Sequence, residues 1–187
     1  SWEAYGLYAG GDANNAKDIV VWARGGTAHS DSGYAIVSAL ASGLRAGGDA
    51  NNVGDITVTA SGGVSQSRDG YVNAGVQDTH GLDVDGDINN SGTILVNLTA
   101  GTADTNDGSN AFARIQGGGG IHARGDVNNT GGITVTGAAG TADAENGKAQ
   151  ATVTDLAGIY AGGSVQNAGS VGVTATGGIT DANDEAR

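Results

Sequence analysis

The chain has 187 residues, 36 of them Gly, with no Pro, Cys or Met, and eight Lys and Arg against twenty Asp and Glu give a formal charge of −12. That charge argues against nucleic acid and anionic membrane surfaces as partners, since both would be repelled; aromatic residues, at 4 %, are too few for a core of large side chains. Without Cys there are no disulfides and no thiol chemistry, and no apolar run approaches the roughly 18 residues of a membrane-spanning helix. No signal peptide is found and the chain does not begin with Met, which predicts a processed chain or an excised piece.

Read from the N-terminus, Gly6 opens the first element. Leu7 and Ala9 alternate with exposed-type neighbours, GGDANN at 10–15 reads as a corner, and DIVVWA at 18–23 alternates again. The unit then recurs. YAGGDANN at 8–15 returns as RAGGDANN at 45–52, DVDGDINN at 83–90, HARGDVNN at 122–129 and YAGGSVQN at 160–167. The glycines in front, Gly6, Gly43, Gly81, Gly120 and Gly158, are 37, 38, 39 and 38 residues apart. The repeats run 4–40, 41–79, 80–118 and 119–156, with an incomplete one at 157–187, all in one domain.

A period of two with no helical stripe predicts strands throughout. The first strand turns Leu7, Leu44, Leu82, Ile121 and Ile159 inward, and the second Ile19/Val21, Ile56/Val58, Ile94/Val96, Ile133/Val135 and Val171/Val173. A third follows Gly33, Gly70, Gly108 and Gly147, with Val72, Ala74 and Val76 or Ala149, Ala151 and Val153 inward. Stacked in parallel, these strands make an all-β, parallel β-solenoid of about five repeats. Three main strands per coil, with a loop between the second and third, is the simplest assignment. Two short coils per repeat is the alternative, though no half-period supports it.

Polar columns fit that stack. Asn15, Asn52, Asn90, Asn129 and Asn167 would bond amide to amide from rung to rung. Asp12, Asp49, Asp87 and Asp126, followed by Ser164, would repel unless backbone N–H groups satisfy each carboxylate. Gly11, Gly48, Gly86, Gly125 and Gly163 are expected to supply a positive φ at the corner.

Several apparent motifs dissolve into the repeat. Asp83 to Asn90 looks like the start of an EF-hand, yet Ile88 and Ile94 stand where that loop needs Gly and Glu. Arg124-Gly125-Asp126 spells an integrin-ligand tripeptide, but Arg124 would stack over Asp85, and an ion pair between rungs explains it. His29, His80 and His122 fall in different columns without metal-ligand spacing. His122, Asp83 and Arg45 share a column of alternating charge. The outward pairs Thr57/Thr59 and Thr134/Thr136 occupy two rungs of five, too irregular for an ice-binding array. No cleft of clustered acids and bases is legible, so catalysis is not expected. One candidate metal site remains. Asp104, Asp143 and Asp181 share a column, and Asp107, Glu145 and Asp184 lie beside it. Together they would collect a hard cation such as Ca²⁺ or serve as exposed acidic loops.

The block GIYAGGSVQNAGSV at 158–171 and its kin GDVNNTGGITV at 125–135 resemble the repeats of large bacterial surface proteins, the passenger regions of autotransporters and filamentous-haemagglutinin-like adhesins. The resemblance covers the whole chain. It implies a right-handed β-helix, export, an extracellular or cell-surface location and a non-catalytic structural or adhesive role. No Gly-Asp-Ser-Gly protease signature occurs. Expected partners are the chain itself or flanking repeats through open solenoid ends, and surface molecules of a host or neighbouring cell. A carbohydrate-binding or carbohydrate-active β-helix is the alternative; clustered exposed aromatics would favour it, whereas Trp2, Trp22, Tyr34, Tyr71 and Phe112 read as scattered through different columns.

Overall fold

Each repeat forms one turn of a parallel β-solenoid, in a computed structural model that describes residues 2–106 and 109–182. Coil 1 holds β1 (Trp2–Ala9), β2 (Ala13–Asn15), β3 (Ile19–Arg24) and β4 (Thr27–Ser32). Coil 2 holds β5 (Ala35–Ala46), β6 (Ala50–Asn52), β7 (Ile56–Ser61) and β8 (Val64–Asp69). Coil 3 repeats them as β9 (Val72–Val84), β10 (Ile88–Asn90), β11 (Ile94–Thr99) and β12 (Thr102–Thr105). Coil 4 has β13 (Ala111–Ala123), β14 (Val127–Asn129), β15 (Ile133–Ala138) and β16 (Thr141–Ala144). Coil 5 has β17 (Ala149–Ala161), β18 (Val165–Asn167), β19 (Val171–Thr176) and β20 (Ile179–Asp181).

Equivalent strands stack into four five-stranded sheets. The register follows the sequence columns: Leu7, Leu44, Leu82, Ile121 and Ile159 are successive partners, as are Ile19, Ile56, Ile94, Ile133 and Val171. One repeat is therefore one coil, and the two-coil alternative falls.

Two expectations need correcting. The segment between the second and third expected strands is not a loop. It forms the fourth sheet, because Ala28, Ser65, Ala103 and Ala142 are small enough to turn inward against the long sheet. The third expected strand also does not end before the next repeat begins. It runs on through Gly43, Gly81, Gly120 or Gly158 into the next first strand. A Cβ at those glycines would strike Cγ2 of Ile56, Ile94 or Ile133, or Cγ1 of Val171, so only Gly lets the long strand pass this close to the residue it packs on.

The core is a stack of small and medium side chains, with Leu44, Ile56, Leu82, Ile94 and Ile121 fully buried. Each large one contributes roughly 1.5–3 kcal/mol on burial. The Asn column is a continuous ladder: Nδ2 of Asn15, Asn52, Asn90 and Asn129 each donates to Oδ1 of the next Asn at 2.7 Å. Each amide also donates to the carbonyl two residues on, as Asn90 does to Gly92. The Asp column is held by main-chain donors: Oδ1 of Asp12, Asp49, Asp87 and Asp126 accepts from N–H of Asp49, Asp87, Asp126 and Ser164 at 2.7–3.0 Å.

Those bonds overturn the reading of the neighbouring glycines. Among the described residues the positive-φ glycines are Gly33 and Gly117, not the corner column. Gly48, Gly86, Gly125 and Gly163 are required by close approach, because a Cβ there would collide with Oδ1 of the Asp one coil earlier.

Candidate recognition groove

The long sheet's outer face changes from coil to coil. Tyr8, Arg45, Asp83, His122 and Tyr160 occupy one outward column. Asp83 sits at its centre and bridges two coils: Oδ2 lies 3.5 Å from Arg45 Nε, and Oδ1 lies 3.0 Å from His122 Nδ1. Arg45 also donates from Nη1 to the Tyr5 hydroxyl at 3.0 Å, and Tyr5 donates to Glu3 at 2.8 Å. Arg124 Nε meets Asp85 Oδ1 at 3.1 Å on the exposed outer face, and Asp126 accepts from Ser164, so both charges of the Arg-Gly-Asp tripeptide have partners within the chain.

The neighbouring column runs Tyr5, Ser42, His80, Gly119 and Ala157. His80 and His122 belong to different columns, as the sequence indicates, yet their rings stack at 5.1 Å, and Tyr160 continues the stack at 5.0 Å. Nδ1 of His80 is buried beside Gly119 without a hydrogen-bond partner among the described residues. Burial, before any charge, lowers the His80 pKa. Asp83 opposes that shift, His122 adds to it and Asp78 opposes it.

A backbone irregularity forms the groove's other wall. Between Ala39 and Ser42 the pairing of coil 2 with coil 3 skips, because Leu40–Ala41 faces the longer run Gln77–Thr79. Asp78, Gly117 and Asp155, one per coil at that point, all have positive φ, at 40°, 75° and 58°. This is a β-bulge column, a device that breaks the ladder and re-aims neighbouring side chains. Thr79 repairs the break: its hydroxyl accepts from Ala41 N–H at 3.2 Å and donates to the Gln77 carbonyl. Between bulge and ladder lie two adjoining hollows of about 340 and 200 Å³ that share Asp78, His80 and His122, over a floor including Ala41, Ser42 and Gly119. The step from 37 to 38 residues between successive glycines was the sequence signal for this bulge.

The aromatic residues are less scattered than the sequence suggests. Tyr34, Tyr71 and Phe112 converge at the corner before the long strand, with ring centroids 5.8 and 5.1 Å apart, and the Arg114 guanidinium lies 3.6 Å over Phe112. The cluster covers Phe112, which points outward yet is buried.

The candidate cation residues separate differently. Asp104, Asp143 and Asp181 are register partners on the outer face of the fourth sheet, above Gln66, whose amide donates to Asp104. Partial burial, then the charges of Asp104 and Asp181, raises the Asp143 pKa. Glu145 follows β16. Asp107 and Asp184 lie outside the described residues, and among those described no three His, Asp or Glu side chains are placed to hold a metal ion.

Compared with protein-family models, with curated proteins and with solved structures, the chain finds no match.

Proposed function

We propose that this chain is a non-catalytic structural and adhesive segment of an extracellular or cell-surface bacterial protein. The observation that supports it is a division of labour in each coil. Inward and corner columns repeat almost unchanged and bond from rung to rung, while the outward column Tyr8, Arg45, Asp83, His122 and Tyr160 changes at every step. Repetition maintains a rod; variation along one face gives the rod a surface that differs from place to place. A non-catalytic role also fits the groove's chemistry. The Tyr5 hydroxyl pKa is raised, chiefly by its bond to Glu3, so this phenol is not poised as a base at neutral pH.

The rod reading extends to its open edge. Val165, Val171, Val173 and Ile179 of coil 5 are 43–69 % exposed, and among the described residues the Asn167 amide donates to the Gly169 carbonyl alone. A further coil, whether from a parent chain or from coil 1 of a second copy, would cover those residues and extend the Asn ladder onto Asn15.

Antibodies against the chain, applied to intact producing cells, test the location, and beads coated with the chain test adhesion. Surface labelling with bead capture by other cells is the expected result; labelling only after permeabilisation would overturn the reading. Sedimentation over a concentration series tests the stacking of copies, and a monomer at every concentration rules it out.

A further inference from the structure

We propose that the groove on the long sheet binds a neutral oligosaccharide lying along the solenoid axis. This deepens the adhesive reading and rests on it. The groove's polar groups hold one another in place. Arg45 uses Nε on Asp83 and Nη1 on Tyr5, which leaves N–H groups of its fork to spend. His122, with Nδ1 against Asp83, presents Nε2 on its other side. Arg124, a largely exposed side chain that also lines the groove, contacts Asp85 through Nε and keeps its terminal nitrogens for a ligand. Donors and acceptors thus alternate from rung to rung, about 4.7–4.9 Å apart, already oriented by their contacts with one another. A sugar hydroxyl both donates and accepts, so a chain of hydroxyls meets each of these groups in turn. Ordering cost falls because the protein side is set beforehand.

The charge count selects a neutral sugar. Glu3, Asp78, Asp83 and Asp85 line the groove against Arg45 and Arg124, so a polyuronate or a nucleic acid strand would meet a net negative wall on a chain of charge −12. A peptide fits less well. Strand addition needs an unpaired sheet edge, whereas the floor strands β5, β9 and β13 are paired on both sides. Helix-in-groove binding needs deep apolar seats, whereas the floor here is Ala41, Ser42 and Gly119. The bulge at Asp78, Gly117 and Asp155 supplies the wall that a flat sheet lacks.

The test is calorimetric titration of the whole chain with cellohexaose, maltohexaose, laminarihexaose and mannohexaose, with oligogalacturonate as the anionic comparison. At least one neutral hexasaccharide should bind saturably, and His122→Gln and Arg45→Met should each weaken it about tenfold or more, the scale of one lost charge-assisted hydrogen bond. Thr57→Ala, on the third sheet, should leave binding unchanged, and circular dichroism should show every variant folded. Absence of binding to all four neutral sugars overturns the proposal, as do preference for oligogalacturonate and binding indifferent to both groove substitutions. Bead capture separates this proposal from the adhesive reading. Capture that survives saturating amounts of the hexasaccharide that binds overturns the glycan and keeps adhesion. Capture absent while a hexasaccharide binds the groove overturns adhesion and keeps the site.

Discussion

Coils 3 and 5 share one inward pattern and differ in what lies beyond them. In coil 3, Ile88, Ile94 and Val96 are at most 1 % exposed; in coil 5 their partners' continuations, Val165, Val171 and Val173, are 43–50 % exposed. A coil of this size cannot bury its own interior. Burial is supplied by neighbouring coils, so stability in this molecule is a nearest-neighbour property. Hydrogen bonds follow the same rule: Asn90 is bonded to an Asn on either side, and Asn167 to one.

The largest test of that comparison truncates the same column at both places. Ile94→Ala should cost about 2–5 kcal/mol, as for a buried Ile whose cavity cannot collapse. Val171→Ala should cost less than about 1 kcal/mol, since nearly half of the side chain already meets water. Urea midpoints read the difference. Equal losses would mean that coil 5 is covered in solution, which is the signature expected if copies stack.

A second pair asks whether the coil before matters as much as the coil after. Gly11 and Gly86 occupy one column, yet a Cβ on Gly11 would meet nothing within 4 Å, while on Gly86 it would strike Asp49 Oδ1 and approach the Gly48 carbonyl oxygen at 2.7 Å. Gly86→Ala should therefore destabilise by about 1–3 kcal/mol, the range for overpacking, and Gly11→Ala should stay within about 0.5 kcal/mol of neutral. Equal losses at both positions would mean that something other than approach to the preceding coil requires Gly in this column.

That glycine column marks where sequence reading reached its limit. Period two, the recurring Gly-Leu or Gly-Ile, and the Asn and Asp columns place each coil correctly, because these constraints repeat and need only one neighbour in register. The fourth sheet was hidden by composition: Thr27–Ser32 and Val64–Asp69 carry few large apolar residues, and small ones such as Ser65 turn inward instead. Tyr34 and Tyr71 each follow a Gly at equivalent points and were legible as a pair, but Phe112 joins them from the adjacent column. The groove was half legible. The Arg45–Asp83–His122 column lies in the sequence; the bulge appears there only as one extra residue, and the His80–His122 stack joins two different columns across neighbouring coils.

Acid should separate the coils as well. His80 lies in coil 3, and its column mate in coil 5 is Ala157. Burial holds the folded-state pKa of His80 below its ordinary 6.5. A histidine with a lowered folded pKa contributes stability that is present above the unfolded value and lost as pH falls through the folded one. Hydrogen exchange should therefore show the long strands of coils 3 and 4, around His80 and His122, opening as pH drops below about 6.5, with coil 5 unaffected. His80→Gln should flatten that response. Uniform loosening of all five coils would assign the acid effect to net charge instead.

The smallest expected effect belongs to the acidic column of the fourth sheet, where coil 4 stands between coils 3 and 5. Asp143 has a carboxylate on either side, Asp104 and Asp181, and its pKa is raised by partial burial first and by those charges second. A carboxyl with a raised folded pKa opposes folding while ionised, and the penalty is relieved as pH falls through the folded value. Asp143→Asn should raise Tm slightly at pH 7, and the gain should vanish near pH 4. Asp181→Asn, with one described carboxylate neighbour in place of two, should gain less. Millimolar Ca²⁺ adds the decisive arm, because a cation that binds the folded chain stabilises it by mass action. A Ca²⁺-dependent rise in wild-type Tm that Asp143→Asn abolishes would make the column a cation site. A melt unchanged by Ca²⁺, together with the gain in Asp143→Asn, would leave an acidic stripe whose middle charge is a small cost carried for solubility.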